Sequence, residues 1–581
     1  MNFDQSKIPP AETGALSRSM LVAVLACTIM FLPARGEAQE AEMPASVVAR
    51  FGTGEGPDEI GVSASTPNLM PEGPRAIAAS SDGQIYVLDT LNKRIFGVDP
   101  SGGAPRGWAI EEAEYPTDLA VSQGAFYVLE AAARRVLIYN EQGRLTDVHP
   151  IPPDIQLAGS VSLAVAGPDD IRIQSSSVEV KLAGGRRDRS GAPSAQLATP
   201  TPAGIVESRF ERDADDRGVL EFGAGIGGER TRGESPSLEI DASEYLASAE
   251  LLAVDTQGRL YVLVEELATG ESEFDVQTSV RRYSPAGELE AVAQVPLASV
   301  DFLANRYLTV GPEGEAYFLQ SQAEQVRILR LSFDDPTAGR TRGEPPPRPS
   351  EDRSEPGPAP EGFEDAVRKA YPEPERKRRS SGITRQRILE NAESYLSVEW
   401  LLRPENDTVA GVPSECLPPQ GRIWQRPDRL EAGANLQVAA VPYKWGGYDS
   451  LPGFVAKLEQ GYLAGDICTC RDSSYDYCIT GNSTGVDCSG FVSRTWEEGY
   501  YTTSSLDKIA DPLSDWRTLR AGDIVNRPGS HVRLVTGISE EGPLIIHTIE
   551  SAKSRGGVCR ASYRVSQLQK YIPMRYRLIR E

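Results

Sequence analysis

A six-residue motif recurs through the first half of the chain and limits what that half can fold into. Each copy has a glycine, any residue, a small or apolar residue, a tyrosine and two apolar residues. The copies are GQIYVL at 83–88, GAFYVL at 124–129, GRLYVL at 258–263 and GEAYFL at 314–319. Their tyrosines are 41 residues apart in the first pair and 56 in the last pair, and the 134 residues between the pairs hold about three such periods. We therefore expect two degenerate copies in that interval, at DDIRIQ (169–174) and RGVLEF (217–222).

Each copy has the pattern of one unit of antiparallel sheet. A polar turn precedes the motif, the motif alternates like a strand, and a second strand with a glycine turn follows it, as in KRIFGVDPSG (93–102) and RRVLIYNEQG (134–143). Short strands repeating every 40–50 residues or so are typical of β-propellers, in which each blade buries its apolar face against its neighbours. Six units predict an all-β six-bladed propeller over residues 47–333, closed by a strand from residues 47–56.

The repeat resembles a known family. Its elements are P-x-x-[IL]-A-[AV]-S, as in PRAIAAS (74–80) and PTDLAVS (116–122), then the tyrosine motif, then R-[IV]-[FL]. This order is similar to the NHL repeat. The resemblance implies a binding scaffold without catalytic residues, whose ligand would be a protein or a glycan held by the variable loops.

The N-terminus has the layout of a secretory signal peptide over residues 1–38. Arg18 precedes the apolar run 20–32, and Gly36 and Ala38 occupy the −3 and −1 positions of a cleavage site. An uncleaved anchor and a lipoprotein site at Cys27 are the alternatives. All three readings export the rest of the chain to the periplasm, the cell envelope or the medium. The run is short for a membrane span and no other is as long, so no transmembrane domain is expected in the mature chain.

Charge and composition separate the two halves and exclude some partners. The chain has 60 Lys and Arg against 83 Asp and Glu, a formal net charge of −23, which argues against nucleic acid as a partner. Residues 334–380 are rich in proline, glycine and charge, which predicts an extended linker or, alternatively, a proline-rich ligand for a partner domain. All cysteines except Cys27 lie beyond residue 400, where export permits disulfides.

A second domain is predicted over residues 381–581, and it carries a cysteine and two histidines. Apolar residues at helical spacing predict a helix over 383–400 and another that begins near Cys488, whereas 519–538 and 542–551 alternate like strands and carry His531 and His547. A cysteine at a helix N-terminus beside an imidazole is expected to have a lowered pKa and to act as a nucleophile. Histidine then serves as base and acid, and a third polar group orients its ring.

Five motifs in this order resemble the NlpC/P60 family of papain-like cysteine peptidases: PYKWGG, VDCSGFV, RAGDIV, SHVRLVTG and IIHTIE. The resemblance implies an α+β papain-like fold in which Cys488 is the nucleophile, His531 the base and His547 the residue that orients the base, with Glu550 as the alternative orienter. It also implies that no cofactor or metal is needed, and that the substrate is an amide next to a D-γ-glutamyl residue in peptidoglycan stem peptides. The residues expected to bind that substrate are Tyr443, Trp445, Asp487 and Ser489.

Two departures and two other function classes stay open at this point. About forty residues separate Gly447 from Asp487, where the family is usually much shorter, and Arg533 stands where many members have glycine. The domain could be a non-catalytic interaction module, or it could transfer the acyl group to another acceptor. A zinc site is disfavoured because Cys-x-Cys spacing is atypical of structural zinc. The pairing of the remaining cysteines is not fixed by the sequence: Cys416, Cys468, Cys470, Cys478 and Cys559.

Overall fold

A computed structural model describes most of the chain. The described residues are 45–63, 70–152, 155, 161–174, 179–182, 189–190, 196–201, 204–223, 236–267, 276–336, 362–371, 382–407, 423–425, 430, 435–469, 479–540 and 542–581. The predicted signal peptide, residues 1–38, lies outside them. Within these ranges, no helix has both the length and the hydropathy needed to cross a membrane.

The N-terminal half consists of β-strands in six consecutive sheets. In chain order, its strands are β1 (Ala45–Thr53), β2 (Glu59–Ile60), β3 (Ala76–Ala79), β4 (Ile85–Asp89), β5 (Arg94–Val98), β6 (Arg106–Ala109), β7 (Asp118–Ser122), β8 (Ala125–Glu130), β9 (Arg135–Tyr139), β10 (Leu145–Pro150), β11 (Ser162–Gly167), β12 (Asp170–Gln174), β13 (Glu179–Lys181), β14 (Arg189–Ser190), β15 (Gln196–Thr201), β16 (Gly204–Ala214), β17 (Arg217–Phe222), β18 (Ser237–Asp241), β19 (Tyr245–Val254), β20 (Leu260–Leu267), β21 (Val276–Tyr283), β22 (Leu289–Gln294), β23 (Leu308–Val310), β24 (Ala316–Ser321) and β25 (Gln325–Leu331). Five sheets are four-stranded antiparallel meanders, β3–β6, β7–β10, β11–β14, β15–β18 and β19–β22, and the sixth has the order β2-β1-β25-β24-β23.

The six sheets form a closed ring, as in a β-propeller. The first strands of the sheets contact one another in turn, from β3 through β7, β11, β15 and β19 to β23, and β23 returns to β3. Strand β1 pairs antiparallel with β25, from Ala45 opposite Leu331 to Gly52 opposite Gln325, and so joins the two ends of the ring. The prediction of a closing strand near residues 47–56 is confirmed.

The recurring glycine of the motif has a conformational role. Gly83, Gly124, Gly258 and Gly314 all have φ between 75° and 93°, the left-handed region that side chains with a Cβ avoid. Each ends a turn that leads into the second strand of its sheet, where the motif tyrosine lies. The degenerate copy at 169–174 also forms a second strand, β12. The copy expected at 217–222 forms β17, which is the third strand of its sheet, because β16 is the second.

The C-terminal part combines helices with a six-stranded antiparallel sheet of order β33-β38-β34-β35-β36-β37. Its elements are α1 (Phe363–Ala370), β26 (Ile383–Thr384), α2 (Arg385–Ser397), β27 (Glu399–Leu402), β28 (Ile423–Gln425), β29 (Leu436–Ala439), α3 (Leu451–Glu459), β30 (Leu463–Ala464), β31 (Ile467–Thr469), β32 (Ser483–Thr484), α4 (Cys488–Thr495), β33 (Ala510–Pro512), β34 (Ile524–Arg527), β35 (His531–Ser539), β36 (Ile545–Ala552), β37 (Gly557–Arg564), β38 (Ile572–Tyr576) and β39 (Ile579–Arg580). The predicted helix over 383–400 is α2, which buries Ile388, Ala392 and Tyr395 against α4 and the sheet.

One helix lies in the segment that the sequence predicted to be an extended linker. Residues 363–370 form α1, which buries Phe363 and Val367 in a cluster with Trp445 and Tyr500. The glutamate of its first turn, Glu364, accepts hydrogen bonds from the backbone N–H and side chain of Thr502. The prediction is therefore wrong for 363–370, because two apolar side chains four residues apart give even this polar segment one face to bury. Residues 337–361 and 372–380 of the predicted linker lie outside the described residues.

The propeller and the C-terminal part pack directly against each other within one compact unit. An apolar cluster crosses the interface and includes Tyr245 and Val276 of the propeller with Trp516 and Leu544 of the C-terminal part. Ion pairs surround this cluster: Glu250–Arg564, Asp301–Lys570 and Glu72–Lys553.

Candidate active site

Cys488 is the first residue of helix α4, and the aspartate before it caps that helix. Asp487 Oδ1 accepts a hydrogen bond of 2.6 Å from the backbone N–H of Gly490. The carbonyl of Gly447 accepts from the Asp487 N–H, and a Cβ added at Gly490 would lie 2.1 Å from that same carbonyl oxygen. This contact gives a physical reason for glycine at position 490, since it seats the start of α4 on the loop after Trp445. Gly447 has its own reason, because a Cβ there would lie 2.7 Å from the carbonyl oxygen of Gly485.

Two of the predicted substrate-binding residues take part in this cap. Ser489 Oγ donates to Asp487 Oδ1 at 3.0 Å, and Tyr500 OH donates to Asp487 Oδ2 at 2.7 Å. Both Asp487 and Ser489 are fully buried. The expectation that they contact substrate is therefore corrected, because their polar atoms already satisfy one another and hold the helix start.

The predicted base, His531, is the first residue of strand β35. Its Nε2 lies 2.5 Å from Oε2 of Glu550 on strand β36. This contact engages one ring nitrogen of His531 with a carboxylate. The neighbouring backbone N–H of Val532 hydrogen-bonds to the Cys488 sulfur, which places the thiol beside this strand.

His547 does not orient His531. Its ring nitrogens contact Ser539 Oγ at 2.7 Å and Ser562 Oγ at 2.9 Å, and neither approaches His531. The strand register explains this result, since His547 pairs with Gly537, six residues along β35 from His531, or about 20 Å at the rise of a strand. The predicted role of His547 is wrong, and Glu550, the alternative orienter, occupies the position.

Three residues around Glu550 were not assigned from the sequence. Arg533 Nε lies 3.0 Å from Glu550 Oε2, and Tyr563 OH donates to Glu550 Oε1. The rings of Tyr563 and Tyr571 flank the Arg533 guanidinium, each at 4.4 Å. Arg533 stands out in the sequence as a departure from the family pattern, and its position two residues after His531 places both side chains on one face of the strand.

Burial sets the ionisation of the site. Burial lowers the pKa of His531, the hydrogen bond to Glu550 opposes that shift, and the net pKa stays below the ordinary value. Burial would raise the pKa of Glu550, but Arg533 and His531 outweigh it and hold the pKa at about 2. Burial raises the pKa of the Cys488 thiol, with a further contribution from Asp487, against the lowered value that the helix position predicts. The resting pair is therefore a neutral thiol and a neutral imidazole, beside an ionised glutamate.

The site is closed in this structure. Cys488 is 0% exposed, His531 2% and Tyr443 1%. Tyr443 lies close enough to Cys488 for a thiolate there to raise the tyrosine pKa, although burial is the larger cause of that shift. Trp445 is covered by Phe363 of helix α1, with the two rings 5.8 Å apart. Of the four predicted substrate-binding residues, only Tyr443 and Trp445 remain candidates, and α1 covers the aromatic cluster that includes both.

The described residues around the site include a second thiol, and they form no cluster of metal ligands. In the described ranges, no group of three His, Cys, Asp or Glu side chains converges to hold a metal ion. Cys559 is a half-buried thiol on strand β37, opposite Glu550 in the strand register. Cys416, Cys470, Cys478 and the side chain of Cys468 lie outside the described part of the chain.

Comparison with known proteins gives matches among solved structures alone. No family model and no curated protein matches the chain. Among solved structures, a streptogramin B lyase is 14% identical and covers 47% of this chain and 98% of its own, with a TM-score of 0.28. Virginiamycin B lyase from Staphylococcus aureus is 11% identical and covers 47% and 100%, with a TM-score of 0.28. Regucalcin, a calcium-binding protein from Agrobacterium tumefaciens strain C58, is 11% identical and covers 48% and 97%, again at 0.28. Each of these three matches covers just under half of this chain.

Proposed function

We propose that residues 381–581 form an NlpC/P60-like, papain-like cysteine hydrolase domain. The observation that carries this proposal is the hydrogen bond of 2.5 Å between His531 Nε2 and Glu550 Oε2, next to a cysteine at a helix start. An imidazole that is fixed by a carboxylate through one nitrogen can exchange a proton through the other. The cysteine, the histidine and the glutamate thus supply a nucleophile, a base and an orienting group.

The reaction follows from these positions. As substrate binds, the Cys488 thiol gives its proton to His531 Nδ1 and the sulfur attacks the amide carbonyl carbon. The backbone N–H of Cys488, at the start of α4, stabilises the oxyanion. His531 then returns the proton to the leaving nitrogen, and an amine departs from a thioester on Cys488. Water, deprotonated by His531, attacks the thioester and releases a carboxylic acid and the thiol.

The substrate class follows from the motif order. We infer that the domain cleaves amide bonds next to D-γ-glutamyl residues in peptidoglycan stem peptides, in an exported protein whose propeller binds a protein or glycan of the cell envelope. The net charge of −23 is compatible with such a partner and disfavours nucleic acid. Transfer to an amine acceptor instead of water uses the same thioester and is the second candidate reaction.

Digestion of muropeptides by the full chain tests the proposal. Mass spectrometry should show one stem-peptide amide replaced by a free amine and a carboxylate, with the mass of one water gained. Cys488→Ala should give no product, whereas Cys559→Ser, the matched thiol variant, should match the wild type. A product linked to an added amine identifies transfer. If wild type and Cys488→Ala bind muropeptides equally and neither cleaves them, the domain is an interaction module and the proposed hydrolase is wrong.

A further inference from the structure

Arg533 is a buried cation for which the cysteine–histidine chemistry has no obvious use. The residue is 4% exposed, and its guanidinium lies between the rings of Tyr563 and Tyr571. Its Nε is 3.0 Å from the glutamate oxygen that also contacts His531. A charge is costly to bury, and an ion pair offsets part of that cost. Nε and Nη1 of Arg533 have no hydrogen-bond partner in the described part of the chain, so the support comes from the charge pair and the two rings. Arg533 and Glu550 are therefore placed to support each other in the charged state.

A residue of the propeller, Met70, also contacts the Arg533 guanidinium. Met70, in the segment between β2 and β3, places its sulfur 3.3 Å from Arg533 Nη2 and 3.4 Å from Tyr571 OH. Two residues later, Glu72 Oε2 is 3.4 Å from Nζ of Lys553, just beyond the strand that carries Glu550. Glu72 is itself held on the propeller by Tyr115 OH at 3.1 Å. The propeller thus contacts both strands that carry the base and its orienter.

The charged groups around His531 come from several elements. Strand β36 contributes Glu550, strand β35 contributes Arg533, and Tyr563 and Tyr571 approach from β37 and the segment before β38. Helix α4 contributes Cys488 and its cap Asp487, and Tyr443 lies beside Cys488. Arg527 on strand β34 lies opposite His531 in the strand register, but its guanidinium donates to the carbonyl of Asp301 in the propeller. Arg533 is the cation paired with the glutamate that contacts His531, so its removal should change the charge around His531 most.

We propose that Arg533 is a positioning residue that keeps Glu550 ionised and aligned on His531, and that the Met70 segment of the propeller completes this device. The docked propeller is then part of the hydrolase site and does more than deliver it to a surface. This inference rests on the proposed function for its enzymatic consequence, but the underlying charge relationship can be measured without a substrate.

The test uses the full chain and the rate of Cys488 alkylation by iodoacetamide as a function of pH, read by peptide mass spectrometry. Arg533→Met removes the charge and keeps an unbranched side chain. Alkylation slows in acid when His531 is protonated and can no longer accept the thiol proton, and the pH of half-maximal rate is the acidic midpoint. Loss of the Arg533 cation should favour imidazolium, so this midpoint should rise by about one pH unit. Alkylation rates below the midpoint should fall roughly tenfold. Arg533→Lys should keep the midpoint near that of the wild type, and Arg560→Met, on the exposed part of the same sheet, should not move it.

A second pair of variants tests the propeller contact and remains informative if Arg533→Met fails to fold. Met70→Glu places a carboxylate against the guanidinium and should raise the midpoint by roughly half a pH unit, whereas the neutral Met70→Gln should leave it unchanged. Equal midpoints for Met70→Glu and Met70→Gln would overturn the propeller contact, and an unshifted midpoint in folded Arg533→Met would overturn the role of Arg533. Shifted alkylation midpoints in a protein that cleaves no peptide would retain this inference and remove the proposed function. Peptide cleavage with unshifted midpoints would do the reverse.

Discussion

Glu550 and His531 lie on adjacent antiparallel strands, with Oε2 of the glutamate 2.5 Å from Nε2 of the histidine. Ile549 pairs with Leu534, so Glu550 comes next to Arg533 and on the face that His531 shares. The register of one hairpin therefore decides which residue orients the base. It places the Glu550 carboxylate beside His531 and pairs His547 with Gly537, six residues further along the strand.

The first prediction concerns Glu550 and His547, the two residues that the sequence offered as orienters of His531. Glu550→Gln should lower kcat on a stem peptide by about 10²-fold or more, because a neutral amide neither stabilises an imidazolium nor fixes the ring as well. His547→Gln should keep kcat within about threefold of the wild type, since its ring contacts only Ser539 and Ser562. Equal losses of kcat in the two variants would mean that His547 also orients the base.

The start of helix α4 gives the second prediction. Gly490→Ala should destabilise the protein by several kcal/mol, on the order of 3, because its Cβ would overlap the Gly447 carbonyl oxygen at 2.1 Å. Thermal unfolding followed by circular dichroism measures the effect. Gly481→Ala, where a Cβ meets no atom within 4 Å, is the matched control and should unfold at the wild-type temperature. A Gly490→Ala protein as stable as this control would show that α4 is seated differently.

Helix α1 gives the third prediction. Phe363→Ala should cost roughly 3–5 kcal/mol of unfolding free energy, as for other buried aromatic truncations. Because Phe363 covers Trp445 and contacts the ring of Tyr500, whose hydroxyl binds Asp487, the same change should speed alkylation of Cys488. Leu401→Ala, at a residue 45% exposed, should change neither quantity. Unchanged alkylation in Phe363→Ala would mean that α1 does not restrict access to the thiol.

The ionisation of Glu550 gives the fourth prediction. Its pKa is about 2 in the folded protein against 4.5 as the ordinary value, so the unfolded chain binds the proton more readily. The stabilisation is complete above pH 4.5 and is lost as the pH falls from there towards 2, a total of roughly 3 kcal/mol. Urea unfolding between pH 5.5 and 3 should show a smaller loss of stability in Glu550→Gln than in the wild type. Parallel plots of unfolding free energy against pH for the two proteins would contradict an ionised Glu550 with a lowered pKa.

The sequence was sufficient for elements whose pattern is local. The tyrosine motif and its degenerate copies predicted the second strand of five sheets, and the spacing predicted six sheets, because turn glycines and strand alternation are set by neighbouring residues. In the fourth sheet the expected copy, 217–222, forms the third strand instead. The start of helix α4 near Cys488 was predicted from the apolar residues that follow it. The structure adds that Asp487, predicted as a substrate-binding residue, caps this helix.

Pairing across strands and distant packing were harder to predict. The register of β35 and β36 depends on the turn between them, and counting outward from that turn places His531 and His547 at unequal distances from it. That count was the available signal for Glu550. The burial of Phe363 against Trp445 joins residues 82 positions apart, and no local pattern marks such a contact. Met70 and Arg533, which also contact each other, are 463 residues apart in the sequence.

The most direct test of the central claim is detection of the thioester on Cys488. Full-length protein is mixed with a γ-D-glutamyl stem peptide, quenched in acid within its first turnover, digested and mapped by mass spectrometry. We expect an acyl group of the peptide's N-terminal fragment on Cys488, none on Cys559, and none in Glu550→Gln at the same early time. Cleavage of the peptide at the wild-type rate by Cys488→Ala, with no acyl group on any cysteine, would contradict it.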